Sequence, residues 1–273
     1  MAIVKMKRVR LIALAKDRDA LLSELLHVGC VEIREPGEAG EDCETLLHRD
    51  TSLLADAKDG LTQLQQAVEA LGKYAPQKKG LFTPRPKMGE AELLDEGKRR
   101  AALEKAAAIN GHAKAIGQLS ARETRVQADR LALEPWSACD VPLEVKGTAK
   151  SAMLLGTVPA TADFSTLAGA LDEAVGAADI RELSVDREQR YLEVIVHTDC
   201  RQQALDALRS FGFSFAQLRD LTGTVSDNIR ALGRELDEIS AQREEEIEAI
   251  RRMGPSMDEL KTGLDRVEQV IAT

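Results

Sequence analysis

Histidines and cysteines near the amino terminus are the first residues whose types and spacing suggest chemistry, namely the binding of a metal ion. His27 and Cys30 form a lone His-x-x-Cys pair, and Cys43 and His48 follow it. Structural zinc sites usually combine two closely spaced ligand pairs, whereas this pair spans the predicted end of a helix and the start of a strand. We therefore interpret His27 as a helix-terminal histidine and Cys30 as a core cysteine, and we predict no metal site and no cofactor.

A phosphate-binding loop is faintly suggested by GPSMDELKTG, residues 254–263. Leu260 occupies the position at which that motif requires the glycine before its lysine, and no predicted strand precedes the segment. Serine, histidine and acidic residues elsewhere do not stand in a strand-to-helix elbow or beside a glycine-rich anion site. The sequence therefore predicts a protein that is not an enzyme and has neither catalytic residues nor a small-molecule substrate.

The composition of the chain favours long helices and small lobes. Of its 273 residues, 44% are hydrophobic and 30% are charged, but only 3% are aromatic, which is typical of coiled helices. The net charge of −9 argues against a nucleic-acid partner, because a basic face is needed to displace the counterions of the phosphates. The four cysteines form no Cys-x-x-Cys pair, and we find neither a signal peptide nor an apolar run of membrane-spanning length. We therefore expect a reducing, cytoplasmic setting.

Residues 1–40 read as a strand–helix–strand unit. Residues 3–14 alternate between apolar and polar side chains, Asp17 is a candidate helix cap, the helix ends near Gly29, and CVEIRE alternates again. Because a two-stranded sheet with one helix leaves most of its apolar face exposed, we predict an incomplete proximal lobe. Its first sixteen residues contain basic but no acidic side chains, so they fit an acidic partner or membrane surface, or simply a solvated strand face.

Heptad-like spacing of apolar residues predicts long helices in two regions. Residues 41–134 are assigned to outbound helices, interrupted by YAPQKKGLFTPRP and ended by Pro135, and residues 223–273 to one returning helix with a phase slip near REEE. The second outbound helix and the returning helix, of roughly 45 and 48 residues, would each extend about 70 Å, which predicts an antiparallel pair. The outbound seam consists of Ile109, Ile116, Leu119, Val126 and Leu133.

Helix-breaking residues interrupt both long helices. They are Gly97, Gly111, Gly117, Gly233, Gly254, Pro255 and Gly263. Each glycine costs a helix up to about 1 kcal/mol relative to alanine. We hypothesise that they make the rod a compliant strut that stores elastic strain. The alternative interpretation is that they only allow helices to approach each other closely.

Residues 135–222 contain short elements in the order βαββαβ. SAMLLGTVPA, ADIRELSV, RYLEVIVHT and FSFAQL read as strands, Asp163 caps the first helix, and a glycine closes the second. This order predicts a distal ferredoxin-like lobe with four antiparallel strands under two helices. Leu81, Phe82 and Trp136 are candidate anchors for a partner protein. Packing where the outbound helix meets the lobe is the competing interpretation for Trp136.

Three segments of the chain resemble one protein family: the opening MAIVKMKRVRLIALAKDRDALLSELLHVGCVEIRE, the KKGLFTPRP loop and, above all, LEPWSACDVPLE. They are similar to the cytoplasmic half of subunit I of the V/A-type rotary ATPases, the relative of eukaryotic V-ATPase subunit a. The resemblance extends in order over essentially the whole chain. It implies an α+β dumbbell, in which two ferredoxin-like α/β lobes, the proximal one incomplete, are joined by a long antiparallel helical coiled-coil bundle.

The resemblance also implies a function, that of a non-catalytic stator component of a proton- or sodium-translocating ATPase, located in the cytoplasm as part of a membrane-bound complex. Its partners would be the peripheral-stalk subunits E and G. The membrane rotor sector and central-stalk neighbours would be reached through a carboxy-terminal membrane domain that this sequence lacks. A ferredoxin-like module that senses a small ligand, such as an amino acid, on a coiled-coil arm is the alternative, and a coiled-coil protein that dimerises through its seams is a third.

Overall fold

The computed structural model describes residues 6–7, 9, 11–32, 52–77, 89, 92, 95–218 and 221–272. Within these residues the protein is α+β, with seven α-helices and one four-stranded antiparallel sheet. The helices are α1 (Arg18–Val28), α2 (Ser52–Tyr74), α3 (Glu96–Leu133), α4 (Phe164–Val175), α5 (Arg201–Ser210), α6 (Val225–Arg252) and α7 (Met257–Ala272). The strands are β1 (Ser151–Pro159), β2 (Ala178–Val185), β3 (Gln189–His197) and β4 (Ser214–Phe215).

The chain forms two compact units. The first comprises Met1–Ala113 and Ala249–Thr273, and the second comprises Lys114–Glu248. The predicted distal lobe at residues 135–222 lies inside the second unit. The four-part division with boundaries after residues 40, 134 and 222 stays a prediction.

The amino-terminal segment confirms its predicted helix but not the strands beside it. The helix is α1, and Gly29 follows it with a φ of 67°, a backbone conformation that suits glycine. Residues 11–14 and 29–32 are not in strands, and the remainder of both predicted strands lies largely outside the described residues. Apolar side chains here are exposed, Ile12 at 89% and Val9 at 79%. A strand is stabilised by a paired neighbour and a covered face, and the described residues supply neither.

The described part of the first unit is held together by α2, the amino-terminal part of α3 and α7. Leu64 and Leu71 of α2 are fully buried, as are Ile109 of α3 and Leu260 of α7. Leu64 and Leu71 lie on the same face of α2, which is the amphipathic pattern expected of a helical bundle. The predicted loop YAPQKKGLFTPRP, residues 74–86, begins where α2 ends at Tyr74, and its residues 78–86 lie outside the described residues.

The long outbound helix is observed as α3, which spans 38 residues, or about 57 Å. Of its predicted seam residues, Ile109, Ile116, Val126 and Leu133 are at most 5% exposed, whereas Leu119 is only partly buried. It ends at Leu133, one residue before a 3₁₀ turn that contains Pro135, as the proline predicts.

The single returning helix is a wrong prediction, because a 3₁₀ turn at Gly254–Ser256 separates α6 from α7. Pro255 lacks the backbone N–H that a continuous helix requires, and its ring clashes with the preceding turn. The interruption inferred from Gly254 and Pro255 is therefore real. The other predicted interruptions, at Gly97, Gly111, Gly117, Gly233 and Gly263, lie inside continuous helices.

The glycines of the long helices fall into two groups by their surroundings. A Cβ atom on Gly111, Gly117 or Gly233 would meet no neighbouring heavy atom within 4 Å, so these glycines are not required for close contact between helices. A Cβ atom on Gly263 would lie 2.8 Å from Cβ of Ala102, which is too short for two carbons. Close helix contact explains Gly263 and leaves the other three unexplained.

The second unit contains the predicted βαββαβ elements in the predicted order. The strand order across its sheet is β2-β3-β1-β4, and every neighbouring pair is antiparallel. β1 pairs with β3 along all nine of its residues, from Ser151 opposite His197 to Pro159 opposite Gln189. β4 contains only two residues, so the predicted strand FSFAQL is mostly wrong.

The two faces of this sheet are covered by different elements. On one face, side chains of α4 and α5 pack on Leu154, Leu192 and Val194, which are at most 2% exposed. The α4 helix begins where predicted, because the Asp163 carboxylate accepts a 2.8 Å hydrogen bond from the Thr166 N–H. The other face carries Leu155, Leu183 and Tyr191, and it forms the candidate site.

Candidate functional site

The segment LEPWSACDVPLE, residues 133–144, covers the second face of the sheet. Leu133, Trp136, Cys139 and Leu143 of this segment are at most 4% exposed and form one apolar cluster with Val225, the first residue of α6. The Trp136 and Tyr191 rings meet edge to face, with centroids 5.1 Å apart and planes at 89°, a favourable arrangement for aromatic pairs.

The interpretation of Trp136 as an exposed partner anchor is therefore corrected. Its side chain is only 4% exposed, so the indole is not available to a partner in this conformation. The reason is that the turn after Leu133 directs the ring onto the sheet, where Tyr191 and the apolar cluster surround it. The other two candidate anchors, Leu81 and Phe82, lie outside the described residues.

A buried carboxylate, Glu193 on β3, fastens the turn to the sheet through an arginine. Glu193 is 4% exposed and lies directly opposite Arg181 of β2 in the antiparallel register, so both side chains point to the same face. The guanidinium donates a hydrogen bond from Nε to Oε2 of Glu193 at 3.0 Å, and its Nη2 lies 2.6 Å from the same oxygen as an ion pair. Its Nη2 also donates to the Ala138 carbonyl and the Asp140 carboxylate, at 3.1 Å each.

This arrangement has an electrostatic consequence at Asp140. The hydrogen bond and positive charge of Arg181 lower the pKa of Asp140, and the same bond raises the pKa of Arg181. Arg181 therefore stays protonated and Asp140 ionised.

The segments that enter and leave the lobe are tied to each other beside this cluster. The Leu143 N–H donates to the Gly223 carbonyl at 3.0 Å, and the Gly223 N–H donates to the Glu144 carboxylate at 2.8 Å. Gly223 has a φ of 75°, a conformation that suits glycine. Thr224 then caps α6 by accepting from the Asp227 N–H at 3.1 Å.

These contacts give a structural role to most of the named residues of the L-E-P-W…D-x-P-L-E motif. Leu133, Trp136 and Leu143 form the cluster, Asp140 binds Arg181, and Glu144 holds Gly223. The sequence identified the motif but not its partners, since Arg181 and Gly223 are distant in the chain and resemble ordinary strand and loop residues.

The residues considered for metal binding or phosphate binding do not assemble into such sites. His27 lies in the last turn of α1 as predicted, whereas Cys30 is exposed and is not the core cysteine we expected. Cys43 and His48 lie outside the described residues. Across the described ranges, no group of three or more His, Cys, Asp or Glu side chains is placed to hold a metal. Residues 254–263 form a 3₁₀ turn and the start of α7, without a strand before them.

Cys139, the cysteine of the turn, is also a poor nucleophile, because its thiol is buried. Burial raises the pKa of the Cys139 thiol, and its Sγ lies 3.7 Å from the Val141 carbonyl oxygen. A thiol is nucleophilic as its thiolate, so Cys139 acts as a small apolar core residue.

A surface cleft with a volume of about 570 Å³ lies at the β4 edge of the sheet. No motif in the sequence predicts it. Its walls come from the first half of β1, from residues 143–148, from the beginning of α5 and from residues 215–218. Lys146 and Arg201 contribute basic side chains, and Met153, Leu155 and Phe215 contribute apolar ones.

Together these features define a class, an α+β protein whose four-stranded antiparallel sheet is inserted between long helices. One solved structure with this fold is the crystal structure of the cytoplasmic N-terminal domain of subunit I, the homolog of subunit a, of V-ATPase. The match has a TM-score of 0.51 at 16% sequence identity, and it covers 94% of this chain and 83% of that one. No protein-family model and no curated protein matches the chain. None of the described helices is both long and apolar enough to cross a membrane.

Proposed function

We propose that this chain is a stator component of a V/A-type rotary ATPase that translocates protons or sodium ions. In this role it links peripheral stalks to the membrane sector, resists the torque of the rotor and does not itself catalyse a reaction. The observation that carries the proposal is the fold shared with the cytoplasmic domain of subunit I over 94% of the chain. The LEPWSACDVPLE resemblance supports it independently, because it rests on sequence rather than on backbone geometry.

The mechanical properties of the described residues suit such a role. A stator requires elements that transmit force without deforming, and α3 is a continuous helix of 38 residues. In the second unit, Arg122 and Arg243 form ion pairs with Glu235 and Glu123 at 2.7 and 2.6 Å, which join α3 to α6. These partly exposed pairs contribute modestly to stability, about 0 to 1 kcal/mol each.

The junction around Trp136 supports the same role. Its apolar cluster, the Arg181 bridge and the Leu143–Gly223 hydrogen bond all connect the end of α3 with the sheet and with the start of α6. A force applied to the lobe is therefore resisted by several contacts at once. We also propose the finer architecture implied by the resemblance, a dumbbell of two ferredoxin-like lobes on a coiled-coil bundle.

The proposed partners are the peripheral-stalk subunits E and G. The membrane rotor sector and central-stalk neighbours are reached through a carboxy-terminal membrane domain, and the location is the cytoplasmic side of a membrane-bound complex. Calorimetric titration of the 273-residue chain with a purified E/G complex tests the proposal. Micromolar or tighter binding supports it, and no binding at tens of micromolar E/G rejects it.

The same titration separates the stator from the small-ligand sensor. A panel of free amino acids serves as the second titrant under identical conditions. Heat with one amino acid and none with E/G would favour the sensor. Sedimentation of the chain alone at micromolar concentration addresses the third hypothesis, because a coiled-coil protein that dimerises through its seams sediments as a dimer.

A further inference from the structure

The cleft in the second unit exists because β4 is too short to cover the edge of β1. β4 pairs only with Gly156 and Thr157 of β1. At the opposite end of β1, the preceding loop covers the edge, with hydrogen bonds from the Met153 N–H to the Lys146 carbonyl at 2.9 Å and from the Thr148 N–H to the Ser151 carbonyl at 2.8 Å. The cleft of about 570 Å³ lies between these two coverings.

The floor of the cleft is apolar and partly accessible. Leu143 and Met153 lie at its base and are at most 9% exposed. Phe215 on β4 lies at its side, is 44% exposed and meets the Phe213 ring edge to face. An exposed aromatic ring beside a concave apolar surface is the type of site that receives one apolar anchor side chain of a partner.

The rim of the cleft is positively charged. Lys146 and Arg201 are exposed lining residues, and over the described part of the chain no carboxylate lies within ion-pair distance of either. Lys146 Nζ donates a hydrogen bond to the Leu143 carbonyl at 3.0 Å, and this neutral acceptor does not cancel its charge. Two acidic residues are close in the chain but do not line the cleft: Glu144 accepts from the Gly223 N–H at 2.8 Å, and the Asp199 side chain is exposed.

This charge is opposite to that of the whole protein, which carries a net charge of −9. Complementary charges at the rim of an interface steer association and select the partner. An apolar pocket whose charged lining residues are two cations therefore favours an apolar side chain flanked by carboxylates. A nucleic acid fits less well, because the surrounding chain is acidic.

We propose that this cleft docks an acidic segment of a peripheral-stalk subunit, which inserts one apolar side chain between Lys146 and Arg201. The inference rests on the proposed stator function and adds to it the binding surface and the chemistry of the segment. It assigns partner contact to residues other than Trp136, Leu81 and Phe82.

Two charge-reversal variants of the full chain test the proposal. The first is Lys146→Glu combined with Arg201→Glu. The matched control is Arg187→Glu combined with Arg234→Glu, which lowers the net charge by the same amount. Arg187 and Arg234 are exposed, lie in the same unit and line no described cleft, Arg187 in the β2–β3 turn and Arg234 on α6.

The measurement is the affinity of each variant for purified E/G complex at salt concentrations from about 50 to about 300 mM, because ionic screening changes strongly over this range. Each titration uses about ten concentrations of the E/G complex. We expect the cleft variant to bind at least about tenfold more weakly and to lose most of the salt dependence, and the control to stay within about twofold. Phe215→Ala should weaken binding while keeping the salt dependence. Circular dichroism and Trp136 fluorescence check that each variant is folded.

The outcomes separate the two proposals. If the wild-type chain binds E/G and the cleft variant binds equally well, the cleft inference is wrong and the stator function stands. If both charge-reversal variants weaken binding equally, general electrostatics rather than the cleft is responsible, and the inference is again wrong. If the wild-type chain does not bind E/G, the stator function fails and the cleft inference fails with it.

Discussion

Replacing Gly263 with alanine should destabilise the protein, although alanine is the better helix former. Gly263 lies inside α7, and a Cβ atom there would be 2.8 Å from Cβ of Ala102 and 3.3 Å from Cδ2 of Leu64. Two carbons pack best at about 3.5 to 4.0 Å, so the helices would have to separate by roughly 0.7 Å or more. Overpacking of this kind costs about 1 to 3 kcal/mol, whereas the gain in helix propensity is at most about 1 kcal/mol.

The matched control is Gly233→Ala. No neighbouring heavy atom lies within 4 Å of a Cβ atom there, so we expect only the propensity gain, up to about 1 kcal/mol of added stability. Urea unfolding followed by far-ultraviolet circular dichroism and by Trp136 fluorescence gives the free energy of unfolding for both variants. The reasoning is refuted if Gly263→Ala is as stable as Gly233→Ala, because the helices would then yield at no cost.

Three further predictions concern the second unit and the cysteines. Arg181→Met should lower the free energy of unfolding by about 1 to 3 kcal/mol, because it leaves the buried Glu193 carboxylate without its partner. Adding Glu193→Leu to this variant should recover most of the loss. A double-mutant cycle measured by urea unfolding gives the loss and the recovery. The pKa of Asp163 is lowered, mainly by the hydrogen bond from the N–H it caps, so its stabilising effect is complete above the ordinary aspartate pKa and is lost as pH falls through the lowered value. Asp163→Asn should therefore leave neutral stability nearly unchanged but flatten the acid side of a pH titration of the melting temperature; an unchanged acid side would contradict this. Maleimide should label the exposed Cys30 in the folded protein and Cys139 only after unfolding, as mass spectrometry of tryptic peptides will show.

The elements of the second unit were predictable from sequence because their signals are local. β1, β2 and β3 showed alternation, Asp163 marked the start of α4, and Pro135 marked the end of α3. Each signal depends on residues within a few positions of each other. β4 was predicted too long for the same reason, since its pairing partners on β1 limit it to two residues.

The strands predicted around α1 show the limit of alternation as a signal. Their apolar residues have the right spacing, yet the described ones are exposed and not in strands. Alternation reports that a strand could bury one face. It does not supply the neighbouring strand or the covering element that makes burial possible.

The sequence by itself determined where α3 ends and where α4 begins, because prolines and caps act on neighbouring residues. Only the tertiary structure decided which faces are covered. It buried Trp136 against Tyr191, joined Arg181 to Glu193 and Asp140, and opened the cleft between residues 143–148 and 215–218. These contacts join residues that are far apart in the chain, and their energies come from packing and desolvation that no local pattern encodes.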